Sequence, residues 1–111
     1  ADVAELARPE VAPKCGHTYQ SYVVRVREGG MKRRNTVMEA LAEDGIQTRP
    51  GTHAAHRLGY YADKYKIRAE EFPIAAAAEE ITMTLPIFPG MTEADQERVV
   101  SGIRVALGRT R

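Results

Sequence analysis

The sequence predicts an α+β domain: a small, mainly antiparallel sheet with helices packed on one face. Three observations predict it. Residues 18–27 alternate, with Tyr22, Val24 and Val26 on one side and Val23, Arg25 and Arg27 on the other, the two-residue period of a half-buried strand. Three later segments carry apolar stripes at helical spacing. The predicted order is strand, helix, short strand, loop, short helix, strand, helix, and helices on one side of such a sheet would bury every stripe.

Taken in order, residues 1–16 read as peripheral, because Val3, Leu6 and Val11 are scattered and Pro9 and Pro13 prevent a long helix. Residues 1–15 are therefore expected to be an N-terminal extension or linker remnant, with the domain over 16–108 and a short tail at 109–111. The strand over 18–27 ends at Glu28-Gly29-Gly30. A helix is expected over 31–44, with Met31, Val37, Met38 and Leu41 as its buried stripe. Lys32-Arg33-Arg34 lies mostly off that stripe and reads as a solvated face, although a basic first turn opposes the helix dipole. Gly45 stops the helix, since a glycine accepts the left-handed backbone found there.

Ile46 and Thr48 then point the same way if the chain is extended, and Pro50-Gly51 breaks that strand. Residues 62–71 are charged and lack a period. A short helix follows over 72–81, with Pro73 at its start and Ile74, Ala77, Ala78 and Ile81 inward. Residues 83–87 read as a strand that lies at an edge or ends near Pro86, which cannot donate to a ladder. The last helix starts at Thr92, buries Val99, Val100, Ile103, Ala106 and Leu107, and stops at Gly108.

Composition limits the function. The 111 residues fit one domain with one core, and 43% are apolar, a globular value. Sixteen basic and fifteen acidic residues leave a net charge of +1. That balance argues against a dedicated nucleic-acid binder or a membrane-surface protein. A single cysteine excludes an internal disulfide and suits a reducing compartment. With no apolar run of membrane-spanning length and no signal-peptide pattern, a cytoplasmic location is expected.

The candidate chemistry concentrates between Gly45 and Tyr61, which holds His53 and His56. Cys15, His17, His53 and His56 are the right residue types for zinc, but their spacing matches no strong zinc pattern, and no metal is expected. Cys15 beside a histidine lacks any local mark of a nucleophile. Arg49-Pro50-Gly51-Thr52 has an arginine and turn amides for a phosphate, without the glycines and lysine of a P-loop. Tyr60 and Tyr61 read as partial core or interface rather than as a stacking platform.

Several segments together carry a family resemblance. Gly16 to Val26 (GHTYQSYVVRV), the Gly45-Ile46-Gln47-Thr48 strand, Phe72-Pro73-Ile74-Ala75 and the run Leu85 to Thr92 (LPIFPGMT) occur in family-like order and spacing. They resemble the C-terminal domain of the DegT/DnrJ/StrS family of sugar aminotransferases, across about residues 13–107. The resemblance implies the small domain of the aspartate-aminotransferase fold. It also implies a dimeric pyridoxal-phosphate enzyme, which moves an amino group, commonly from glutamate, to a nucleotide-linked keto sugar.

On that reading the large domain, with its Schiff-base lysine and phosphate cup, has no counterpart here. Lys14, Lys32, Lys64 and Lys66 lie in no similar motif. The 111 residues are then expected to bind no cofactor and to have no catalytic residue of their own. Their expected partners are the large pyridoxal-phosphate domain, a second copy and a nucleotide sugar. His56, with His53 and Thr52 by position in the loop, is expected to line the substrate side. The family commonly has a His-Tyr pair where Gly51-Thr52 stand, and a histidine where Gln20 stands. A stand-alone interaction module that kept the fold without catalysis is the alternative. An upstream lysine-bearing reading frame would favour the enzyme.

Overall fold

The structure, a computed structural model, describes residues 3–109. Residues 1–2 and 110–111 of the expected extension and tail lie outside the described residues. Four strands, β1 (Leu6–Ala7), β2 (Tyr22–Val26), β3 (Arg49–Pro50) and β4 (Thr82–Leu85), form one antiparallel sheet in the order β1-β2-β4-β3. Four helices accompany it: α1 (Gly30–Glu43), α2 (Gly59–Tyr65), α3 (Pro73–Ile81) and α4 (Glu93–Arg109). The expected α+β class is the observed one.

The core follows from the strand period. Val24 and Val26 on β2 and Met83 on β4 point to one face, opposite Val37, Ala40 and Leu41 of α1 and Ile103, Ala106 and Leu107 of α4. Ile46 closes the gap between the two helices, where a Cβ on Gly102 would come within 2.7 Å of its Cδ1. The stop at Gly45 is as expected. Gly45 has φ +77°, its N–H bonds Ala42 O at 3.0 Å, and Ile46 N–H bonds Leu41 O at 2.8 Å, the paired bonds of a Schellman ending. Arg98 Nη2 adds a bond to Asp44 O at 2.9 Å.

Several expectations are corrected. Leu6 is not peripheral: β1 pairs Leu6 with Val26 and buries the leucine in the core. Thr18 to Ser21 stay outside β2, with Tyr19 at φ +51° and its N–H on His17 Nδ1. The extended pairing after α1 falls on Arg49–Pro50 rather than on Ile46–Thr48, and Pro50 is tolerated because β3 is an edge. For β4 the second of the two expected alternatives holds: the strand is interior and ends at Leu85, just before Pro86. Helix α2 has no apolar period, so its sequence hides it.

On α1, Met31 is exposed and Arg34 is buried at 6% exposure. On α3, Ile74 is 86% exposed and Ala77 is exposed. Only Ala76 and the last turn of that helix reach partial cover. Helix α4 runs through Gly108 to Arg109.

The first turn of α4 carries a reciprocal cap. Thr92 N–H bonds Asp95 Oδ2 at 3.0 Å, and Asp95 N–H bonds Thr92 Oγ1 at 3.1 Å. The Asp95 carboxyl is held below its ordinary value of 3.8, first by the Thr92 backbone N–H and then by the Thr92 side chain, with a smaller contribution from Arg98 against a small desolvation effect. A folded-state pKa below the unfolded one stabilises the fold above the unfolded pKa, and the contribution disappears as pH falls through the folded value. Asp95→Asn should therefore lower the unfolding midpoint at neutral pH and leave it near wild type in strong acid. Equal losses at both pH values in thermal melts would refute the cap's role.

Candidate substrate loop

Residues 51–58 form the loop in which the sequence places its site residues. The loop is anchored at both ends. At its start, Gly51 N–H bonds Thr82 O at 3.2 Å. The backbone there passes so close to the sheet that a Cβ would stand 2.6 Å from Thr82 Cβ and 2.7 Å from Val23 Cγ1. Glycine is needed for this approach, not for a positive φ. Gly51→Ala should cost roughly 1–3 kcal/mol, as overpacking does. An unchanged denaturation midpoint would show that the loop swings clear.

At its far end the loop is clamped by the end of α3. Ala54, 2% exposed, donates its N–H to Glu79 Oε2. Arg57 Nη1 lies 3.5 Å from Glu79 Oε1 and 3.1 Å from Glu80 Oε1. The Glu79 backbone is itself held, because Arg34 Nη1 donates to Glu79 O at 2.7 Å and to Thr82 O at 3.0 Å. Arg34 Nε also donates to Asn35 Oδ1 at 2.8 Å. The guanidinium thus sits at the carbonyl end of α3, where the helix dipole favours a cation. The expectation that Arg34 belongs to a solvated face is corrected by this bond set.

The three candidate site residues have different surroundings. Thr52 and His53 are exposed. His56 is 7% exposed, with its ring 5.0 Å from that of Phe72 and Nε2 3.1 Å from Ala69 O. A carbonyl only accepts, so Nε2 carries the hydrogen. His56 lines a hollow of about 380 Å³ with Tyr61, Tyr65, Ile67 and Phe72. Tyr61 and Tyr65 stack with their rings 6.4 Å apart and 10° from parallel, while Tyr60 meets Tyr61 edge-on at 5.2 Å. Lys64 Nζ lies 5.4 Å from the Tyr60 and Tyr65 ring centres. Tyr60 is 65% exposed, so the tyrosines are surface and not core.

Cys15 is exposed, and no three His, Cys, Asp or Glu side chains cluster among the described residues. No described helix is long and apolar enough to cross a membrane. Sequence reasoning missed Arg34, Glu79 and Glu80, the residues that hold the loop. The available signal was an acidic pair closing an otherwise apolar helix, with a loop arginine to match.

Comparison with known proteins decides the family. Residues 1–104 match the DegT/DnrJ/EryC1/StrS aminotransferase family. The chain belongs to that family. Among DegT-family relatives, GDP-perosamine synthase of Caulobacter vibrioides is 33% identical over 98 residues, which cover 88% of this chain and 26% of that protein. The aminotransferase TlmJ from Streptoalloteichus hindustanus superposes with a TM-score of 0.77 at 27% identity, covering 96% of this chain and 27% of TlmJ. NtdA from Bacillus subtilis, solved with bound PMP, superposes at 0.69 with 23% identity, over 95% of this chain and 23% of NtdA. The chain thus corresponds to a C-terminal portion of sugar aminotransferases and spans about a quarter of the relatives' length.

Proposed function

We propose that the chain is the C-terminal portion of a pyridoxal-phosphate aminotransferase acting on a nucleotide-linked keto sugar. The observation that carries this reading is the family match over residues 1–104, together with 33% identity to the C-terminal quarter of a GDP-perosamine synthase. Residues 16–108 are the small domain, and β1 is an arm added to it from the N-terminal extension. In this reading the loop of residues 51–58 faces the substrate. Thr52 and His53 offer free hydrogen-bonding groups, and His56 lines the inner wall while its bond to Ala69 O fixes the turn.

The described residues do not fit the cofactor itself. All four lysines are exposed, and Lys64 is engaged with two tyrosine rings. A site for pyridoxal phosphate needs a lysine, a partner for the ring nitrogen and a phosphate cradle. Those groups belong to the remainder of the enzyme, and no catalytic step is assigned to residues of this chain. The work of this portion is binding and assembly in the cytoplasm. The exposed Leu58, Tyr60 and Tyr61 form an apolar face that suits a contact with a second copy.

A chimera tests the proposal. This chain replaces the matching quarter of GDP-perosamine synthase, and the product is assayed with glutamate and the nucleotide-linked keto sugar. Amination is expected, with KM raised by Thr52→Val and His53→Ala. A folded chimera that holds the cofactor but aminates no nucleotide-linked keto sugar would sink the reading. For the assembly role, sedimentation of the 111-residue chain should reveal dimers or larger species at micromolar concentration, weakened by exchange of Leu58 and Tyr61 for serine. A clean monomer would remove that role.

A further inference from the structure

Thr52 and His53 are exposed, yet the backbone on either side of them is tied down. Gly51 N–H bonds Thr82 O at 3.2 Å, and Ala54 N–H bonds the Glu79 carboxylate. Both ties end at the junction of α3 and β4. Arg34 Nη1 binds the backbone carbonyls of the same residues, Glu79 and Thr82. The junction is therefore one platform under both ends of the exposed span.

We propose that Glu79 is a positioning residue for substrate: its carboxylate fixes Thr52 and His53 in the place where the nucleotide-linked sugar meets them. The proposal rests on the reading of residues 51–58 as the substrate loop and adds the residue that sets the loop's geometry. Three observations carry it. First, Glu79 stands against its local setting. It lies beside Glu80 in the last turn of α3, and that turn holds no basic residue. Carboxylates there oppose the helix dipole. A residue that breaks a local rule has its reason in a tertiary contact, and here the contact is with the loop. Oε2 takes the Ala54 N–H, and Oε1 lies 3.5 Å from Arg57 Nη1.

Second, the Ala54 bond has no substitute. Ala54 is 2% exposed. Without the carboxylate its N–H would be a buried donor lacking an acceptor, which drives the peptide out toward water. Gly51 stays pinned to Thr82 O, so Thr52 and His53 take up the movement. Arg57 is different: it keeps Glu80 at 3.1 Å when Glu79 is lost, and a pair this open to solvent contributes little. Third, the effect is confined. His56 is held from the other side, by Ala69 O and the Phe72 ring. Glu79 thus governs the exposed span and not His56, and ordering that span in advance lowers the cost of binding.

The test compares Glu79→Ala with Glu79→Gln, which keeps the length and an acceptor oxygen for Ala54 while removing the charge. In the 111-residue chain, NMR order parameters at the Thr52 and His53 amides should fall in Glu79→Ala and return in Glu79→Gln, with β2 and His56 at wild-type values in both. In the chimera with GDP-perosamine synthase, Glu79→Ala should raise KM for the nucleotide-linked keto sugar about tenfold, with kcat and KM for glutamate within about twofold. Glu79→Gln should recover most of that loss. Glu79→Asp, which keeps the charge but falls one methylene short of Ala54, should behave as Glu79→Ala does and covers the case in which Glu79→Ala does not fold. Unchanged order at Thr52 and His53 in Glu79→Ala, or a Glu79→Gln variant as impaired as Glu79→Ala, would overturn the positioning role. Equal rises in KM for both substrates would overturn it too, since they mark general destabilisation. Loosening by Glu79→Ala beside an unmutated chimera that aminates no sugar would sink the substrate reading, and the positioning role with it, while the clamp itself stood.

Discussion

Leu41→Ala is expected to lower the unfolding free energy by about 2–5 kcal/mol, the range for emptying a leucine site in a packed core. The upper half of that range is the expectation here, because Leu41 is 0% exposed and lies among side chains from the sheet and both long helices. A Cβ on Gly102 would stand 3.2 Å from Leu41 Cδ2, so α1 and α4 approach closely at this point. Rigid backbone on two sides collapses poorly into a cavity. Leu41 also ends α1: its carbonyl takes the N–H of Ile46, and Leu41 and Ile46 are the apolar pair of that ending. Against a typical total of about 5–15 kcal/mol, the loss is severe. Urea denaturation of the variant decides, and a loss below about 1 kcal/mol would mean that the two helices close over the gap.

Arg34→Ala is expected to cost about 2–4 kcal/mol and to lower the thermal midpoint by at least about 8 °C. The truncation removes one buried cation, strands the Glu79 carbonyl without this donor, and leaves Thr82 O with only the Gly51 N–H. Arg34→Lys should recover little, since an ammonium cannot reproduce a planar fork that reaches two carbonyls and Asn35 together. A second readout separates this from general destabilisation. Releasing Glu79 should loosen the loop it clamps, so the Ala54 amide should exchange faster than amides in β2 under conditions where the variant stays folded. An unchanged midpoint, or exchange that rises uniformly across β2 and the loop, would contradict the role given to Arg34.

These two residues mark how far the sequence could be read. Leu41 is legible because it sits on a helical stripe that ends at Gly45, and both the stripe and the stop are local. Arg34 reads locally as one of three cations in a polar turn. The two carbonyls it binds are 45 and 48 residues away, and nothing near it in the chain announces them. The same contrast separates β2 from β4. The alternation of β2 is visible in its own ten residues. The interior position of β4 depends on whether β3 pairs with it, and a two-residue strand containing proline gives no periodic signal.

The candidate site divides in the same way. The sequence places Thr52, His53 and His56 together in one loop, and it places the chain in its family through short segments in a shared order. It does not distinguish an exposed His53 from a buried His56, because that difference is made by Phe72 and Ala69. The exposure of Ile74 has a related cause. A helical stripe states which side of α3 is apolar, but only docking decides how much of that side meets another surface.

By itself, then, the sequence determined the α+β class, the stripes of α1 and α4, the alternation of β2 and the helix stop at Gly45, all set by neighbours within a turn or two. Only the tertiary structure decided the strand order, the burial of Leu6 and Arg34, and the clamp of Glu79 on the loop. Those features arise where segments far apart in the chain meet, and there burial and hydrogen bonding outweigh local preference.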